Sequence, residues 1–372
     1  MIENKLICLV FLSVGNFLPI FTGANTVHES DSIKSPLYIG SKFHYGFIIP
    51  HAEDLKPVSE SNIWGLQVDI SKLGVSSKAW SNCNCYSRLG LSFIFFDYRN
   101  PEILGHSYSL AFFFEPYFNF KSRSRLSLRA GIGLSYLDKI YDEVSNPENL
   151  FYSSRISGLL LLNLSYNYVI NEQYQLNLAL NYNHISNAGA KMPNKGMNFP
   201  TASLGLDYIL RPTKLKSQEK NIGLRNRRLM KYSRIFWSIR SVEADSLYTR
   251  KNNLMIGLEA GLIKGLSNIN GLLGGMEFSY DGSFQEISNR TGEEYSPFIF
   301  SLHFGHAFVL GRITFTQQMA WYAYRPFPSV SESFFQRYGI YYRIGKMINV
   351  GFSLKAHGHV AEHMDMRIGV EF

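Results

Sequence analysis

The chain has 372 residues, of which 45% are hydrophobic and 15% aromatic, and a formal net charge of +8. Such a composition excludes a disordered chain and leaves room for one large or two small domains. Gly, Ser, Asn, Tyr and Phe are plentiful and helix-forming residues do not cluster, so the fold class read from composition is all-β.

The chain opens "MIENKLICLVFLSVGNFLPIFTGANT". A short charged start precedes an apolar run from Leu6 to about Phe21, and Thr22 and Ala24 stand at the small positions of a cleavage site after Ala24. Residues 1–24 therefore read as a secretory signal peptide. A membrane anchor is the alternative, but the run is short and Asn16 and Pro19 interrupt it. In an exported protein the basic balance suits anionic lipid phosphates better than nucleic acid. Of the three cysteines, Cys8 leaves with the signal, and Cys83 and Cys85 are too close for an easy disulfide, so they receive no role.

After the signal no stretch is apolar for long enough to make a transmembrane helix, and period-2 alternation takes over. From His106 to Phe120 the even positions are His, Tyr, Leu, Phe, Phe, Pro, Phe and Phe. From Leu126 to Tyr136 they are Leu, Leu, Ala, Ile, Leu and Tyr, with Ser, Arg, Gly, Gly and Ser between them. Leu160, Leu162, Leu164, Tyr166 and Tyr168 repeat the pattern against Asn163, Ser165 and Asn167. One face of each strand is apolar and the other polar or tiny, as in an outer-membrane barrel. About sixteen strands can be placed, eight from about Leu37 to Leu210 and eight from about Tyr232 to Phe372. Short connections such as Asn171–Glu172 and Gly345–Lys346 follow even-numbered strands, and longer ones such as His51–Asn62 and Asn187–Phe199 follow odd ones.

The expected fold is an antiparallel outer-membrane β-barrel, most simply one barrel of about 14–16 strands. An eight-stranded barrel followed by a second β domain is the alternative. The expected segments are a signal peptide over 1–24, a first barrel half over 25–212, a basic connector over 213–231 and a second half over 232–372. The basic stretch from Arg211 to Arg234 reads as a solvated periplasmic turn. At the C-terminus Met364, Met366, Ile368, Val370 and Phe372 form one stripe. A last strand ending in an aromatic resembles the signature that the outer-membrane assembly machinery recognises. His357, His359 and His363 lack a Cys or paired carboxylate at ligand spacing, so no metal and no cofactor is assigned.

Chemistry concentrates in "NYNHISNAGAKMPNKGMN", Asn181 to Asn198. Tyr174, Leu176, Leu178, Leu180 and Tyr182 form the apolar stripe of the strand that enters it, and His184 and Ser186 continue that stripe. Both therefore face lipid at the outer end of the barrel, where polar groups have no partners and need a reason to be present. An imidazole two residues from a serine on one strand face can take the hydroxyl proton. Gly189 and Asn194 in the following loop are candidate oxyanion donors.

"HISNAG" followed by "PNKGMN" resembles the motif of the outer-membrane lipid A 3-O-deacylases and the related acyloxyacyl hydrolases, and "FHYGFIIPH" with "WGLQVDISK" resembles longer, Bacteroidetes-type relatives. The resemblance implies a β-barrel esterase that removes an acyl chain from lipid A at a site on the barrel exterior. It makes Ser186 the nucleophile, His184 the general base, and Gly189 and Asn194 the oxyanion hole. The family's acidic third member falls at Asn198, which is a departure. Asn198 shares the parity of Ala202, Leu204, Leu206 and Tyr208 and so can face His184. An amide can orient a histidine but cannot offset the imidazolium charge. The implied partners are lipid A or lipopolysaccharide, outer-membrane lipids and the assembly machinery, with no nucleic acid. The rival readings are a non-catalytic barrel, channel or structural, and an esterase acting on other lipids.

Overall fold

In the computed structural model residues 34–372 are described, apart from 119, 121, 188–190, 214–228, 268, 326–332 and 359. The expected signal peptide, Gly189, His359 and most of the basic connector lie outside the described residues. Sixteen antiparallel strands form, and they close as two eight-stranded barrels. The all-β barrel expectation holds in its second form. The single large barrel is replaced by two closures, one pairing β1 with β8 and one pairing β9 with β16.

The first barrel comprises β1 (Leu37–Phe47), β2 (Asn62–Gly74), β3 (Tyr86–Asp97), β4 (His106–Tyr117), β5 (Ser124–Leu137), β6 (Ile156–Val169), β7 (Tyr174–Ser186) and β8 (Met197–Ile209). The second comprises β9 (Leu229–Val242), β10 (Lys251–Gly265), β11 (Asn270–Asp281), β12 (Phe298–Leu310), β13 (Ile313–Tyr324), β14 (Phe334–Ile344), β15 (Ile348–His357) and β16 (Val360–Glu371). In β6 the exposed Leu160, Leu162 and Leu164 alternate with buried Leu159, Asn163, Ser165 and Asn167. Such an apolar outer wall fits hydrocarbon as its solvent, and closure leaves no strand edge unpaired there.

The first barrel's interior has three levels. At the outer end the connections after β1, β3 and β5 fold inward with the strand tips. They bury an apolar cluster that includes Ile48, Leu55, Phe96, Tyr152, Ile185 and Phe199. The middle holds an ionic lattice. Arg129 pairs with Asp69 at 2.6 Å and Glu115 at 2.8 Å, and Arg88 pairs with Glu115 and Asp207, each at 2.8 Å. At the inner end Tyr38, Leu73, Tyr86, Tyr117 and Ile209 pack together. Each buried charge here meets an opposite one, which offsets the cost of taking it out of water. The lumen is thus filled, and its outer third is apolar where the strand patterns suggest a polar lining throughout.

The second barrel carries a similar lattice. Arg367 meets Glu259 at 2.7 Å and Glu277 at 3.0 Å, and Arg337 meets Glu277 at 2.7 Å and Asp365 at 2.5 Å. Arg234, read from the sequence as part of a solvated turn, is buried in this lattice between Glu259 and Glu371. Strand β9 begins at Leu229, taking in the end of the expected connector.

Between the end of β2 at Gly74 and the start of β3 lies a short helix, Ser77–Cys83, capped by the Ser76 hydroxyl accepting from the Ala79 amide. Asn84 ends the helix in the left-handed conformation, φ 52°, and this reversal brings the Cα atoms of Cys83 and Cys85 to 5.1 Å. The two are disulfide-bonded, against the expectation that they are too close, because the left-handed residue between them folds the chain back.

Candidate active site

Strand β7 positions the site. Its odd residues point inward and the last of them, Ile185, is fully buried in the apolar cluster at the outer end. That anchor fixes the facing of its two neighbours, so His184 and Ser186 both project from the outer wall, half-buried. Same-face neighbours on a strand lie about 6.6 Å apart, a spacing that an imidazole ring can span. Across the ladder His184 stands opposite Leu160 on β6 and Asn198 on β8. Ser186 stands opposite Gly158, which is exposed and has no side chain to cover the hydroxyl.

His184 is held from two sides. Its Nδ1 lies 2.7 Å from the Asn198 Oδ1. The same oxygen accepts from the Tyr182 hydroxyl at 2.9 Å. An amide oxygen has two lone pairs and both are used here. With the amide in this orientation Nδ1 carries the proton, and Nε2 keeps a free lone pair on the other edge of the ring. Behind the ring stands Gly196, at φ +71°, where a Cβ would come within 2.9 Å of the His184 Cε1.

Ser186 is held by Asn194. The Asn194 Nδ2 donates to the Ser186 Oγ at 3.0 Å. Its Oδ1 accepts from the Asn187 backbone amide at 3.1 Å, and this fixes the NH₂ end toward the serine. Asn187 also anchors the loop, donating to the Lys191 carbonyl at 2.8 Å and to the Ser154 hydroxyl at 3.1 Å. Two further connections brace the loop from outside. Lys195 and Gly196 donate their amides to the carbonyls of Leu150 and Phe151 at 3.1 and 2.9 Å. His51 Nε2 donates to the Lys195 carbonyl at 2.9 Å, and Ile49 donates its amide to the Asn198 carbonyl at 2.8 Å. The Lys195 ammonium pairs with Asp54 and holds its carboxyl below the usual carboxylate range.

Of the residues singled out in the sequence, the structure thus joins His184 to Asn198 and Ser186 to Asn194, all at the outer end of β7 and β8. Gly189 lies outside the described residues. Tyr182, Asn187, Gly196, Gly158 and His51 were not singled out. Tyr182 carries the parity of His184, but it reads as one more aromatic of the lipid-facing stripe. Among the other histidines, His357 bonds the Tyr322 hydroxyl and Glu362 at the rim of the second barrel, and His363 is buried beside Glu362.

A hydroxyl, an oriented imidazole and a fixed amide donor on one exposed face are the parts of an acyl-transfer site. Residues 65–207, which contain all of them and leave out only the bracing Ile49, His51 and Asp54, match the family described as lipid A 3-O-deacylase (PagL). Residues 234–372 match the one described as acyloxyacyl hydrolase, C-terminal domain. No curated protein matches the chain. Among solved structures it is similar to the outer membrane enzyme PagL, with 14% identity over 45% of this chain and 97% of that one and a TM-score of 0.34. It is similar to Neisserial surface protein A, with 12% identity over 46% and 96% of the two chains and a TM-score of 0.33. The β domain of the Bordetella autotransporter BrkA shows 10% identity over 91% and 99%, with a TM-score of 0.25. The two family matches fall on the first barrel from β2 onward and on the second barrel from within β9, and on them the chain belongs to the lipid A 3-O-deacylase (PagL) and acyloxyacyl hydrolase family.

Proposed function

We propose that this protein is an outer-membrane serine esterase that hydrolyses an ester-linked acyl chain of lipid A. Ser186 Oγ attacks the ester carbonyl while His184 Nε2 takes its proton. The carbonyl oxygen becomes an oxyanion and receives the second N–H of Asn194. The tetrahedral intermediate then collapses. The bond between the acyl carbon and the ester oxygen breaks, and the imidazolium gives its proton to that leaving oxygen. Water, deprotonated by the same imidazole, cleaves the acyl-serine and releases the fatty acid. Asn198 orients His184 throughout but adds no negative charge beside the imidazolium.

The observation that carries this reading is the outward facing of both hydrogen-bonded pairs, His184–Asn198 and Ser186–Asn194, on an apolar barrel wall. A lipid ester can reach such a site from the leaflet without crossing water. The filled lumen of each barrel weighs against the channel reading. The last strand, β16, supports engagement by the assembly machinery, because Met364, Met366, Ile368, Val370 and Phe372 present one apolar stripe outward.

Mass spectrometry of lipid A tests the function. Membranes with the wild-type protein should carry lipid A lighter by one acyl chain, and membranes with Ser186→Ala or His184→Ala should not, although each variant still refolds as a barrel. Identical lipid A in all of them would overturn the proposal.

A further inference from the structure

We propose that Tyr182 is a positioning residue for His184, acting through Asn198: its hydroxyl fixes which end of the Asn198 amide faces the imidazole. The proposal rests on the reading of Ser186 as nucleophile and His184 as base.

A carboxylate at position 198 would present two equivalent acceptor oxygens, and turning it over would change nothing. An amide is not symmetric. If its NH₂ end faced His184, it would donate to Nδ1 and drive the ring proton to Nε2. That nitrogen could then no longer accept the Ser186 proton. An amide at position 198 therefore creates a requirement for something that selects the oxygen end.

The geometry points to Tyr182. Its hydroxyl lies 2.9 Å from the same Oδ1 that stands 2.7 Å from His184 Nδ1. Tyr182 projects from β7 two residues before His184, on the same outward face, so the hydroxyl and the ring converge on one acceptor across the β7–β8 ladder. A phenol is a better donor than acceptor, because its oxygen lone pair is shared with the ring. With the amide turned over, the phenolic proton would be left facing the lipid side without this acceptor. The outward wall, where water is scarce, makes that alternative costly and the observed one dominant.

The test is a double-mutant cycle on purified lipid A in mixed detergent micelles, with the full chain refolded and thermal unfolding followed for each variant. Tyr182→Phe keeps the ring and removes only the hydroxyl. It should lower kcat about tenfold with KM within about twofold, if about nine molecules in ten then hold the wrong tautomer. In an Asn198→Asp background both ends of the side chain accept, so adding Tyr182→Phe should change kcat less than about twofold. A merely structural tyrosine would cost the same in both backgrounds, and that result overturns the proposal. So does an unchanged kcat in the single Tyr182→Phe variant, or an inactive Asn198→Asp, since a symmetric acceptor should suffice to orient His184. Wild-type turnover in Ser186→Ala would instead remove the reading on which the proposal rests.

Discussion

Gly196 offers a sharp test of how tightly His184 must be held. Placing a Cβ there would bring it within 2.9 Å of the imidazole Cε1, 3.5 Å of Nε2 and 3.5 Å of the Ile185 carbonyl. Ordinary carbon–carbon contact lies at about 3.5–4.0 Å, so Gly196→Ala forces about 0.6 Å of movement at the ring. The ring is tied at Nδ1 to Asn198, so it can only swing its Nε2 edge. A displacement of about 1 Å in a reacting group can cost about a hundredfold, and the smaller shift here predicts a fall of about tenfold to thirtyfold in kcat. The backbone contributes a separate cost, because φ at Gly196 is +71° and a Cβ in the left-handed region costs about 1 kcal/mol. Gly292 isolates that second effect: its φ is +75° and nothing lies within 4 Å of its added Cβ. Gly292→Ala should lose a similar amount of stability and keep full turnover. The assay is deacylation of lipid A in detergent micelles beside thermal unfolding of both variants. Full kcat in Gly196→Ala, or an equal loss of kcat in both, would refute the argument that the glycine serves His184.

Asn194→Ala should lower kcat by about a hundredfold to a thousandfold with little change in KM, the usual cost of losing one oxyanion donor; steady-state kinetics on the same micelles checks it. Glu115 bridges Arg88 and Arg129 deep in the first barrel, so Glu115→Leu leaves two guanidinium groups with one acid fewer. Breaking a buried pair from one side costs about 3–5 kcal/mol, and the denaturant midpoint of the refolded barrel should fall accordingly. An unchanged midpoint would show that the lattice contributes no stability.

The facing of the site was legible in the sequence because a strand has a period of two. Once the stripe through Tyr174, Leu178 and Tyr182 is taken as lipid-facing, the direction of His184 and Ser186 follows without further information. The strand number and the split into eight and eight were legible for the same reason. Closure was not. Whether β8 pairs with β1 or with β9 is decided by contacts far apart along the chain, and no local pattern encodes them. The interior was only half legible. Parity puts Arg129 on the inward face and a basic run puts Arg234 in a solvated turn, but the acidic partners of Arg88, Arg129 and Arg234 lie far along the chain, where no local pattern joins them. Tyr182 and Gly196 escaped notice because each looks ordinary in its place, an aromatic in an aromatic stripe and a glycine in a turn. Their meaning lies in a neighbour across the ladder or behind the ring.

If Ser186 is the nucleophile, as proposed, its outward facing also determines what concentration means for this enzyme. Substrate would then arrive by sliding within the leaflet, so the encounter rate would depend on molecules per unit area of membrane, and the bulk volume would hardly enter. Adding inert detergent at constant enzyme and lipid A thins the substrate on each surface and slows turnover, although nothing in the solution has become more dilute. Packing of the neighbouring lipids replaces the walls of a pocket: a stiff, ordered leaflet holds acyl chains away from the hydroxyl, and a loosened one lets them bend toward it. The membrane is then both the solvent and the moving half of the binding site.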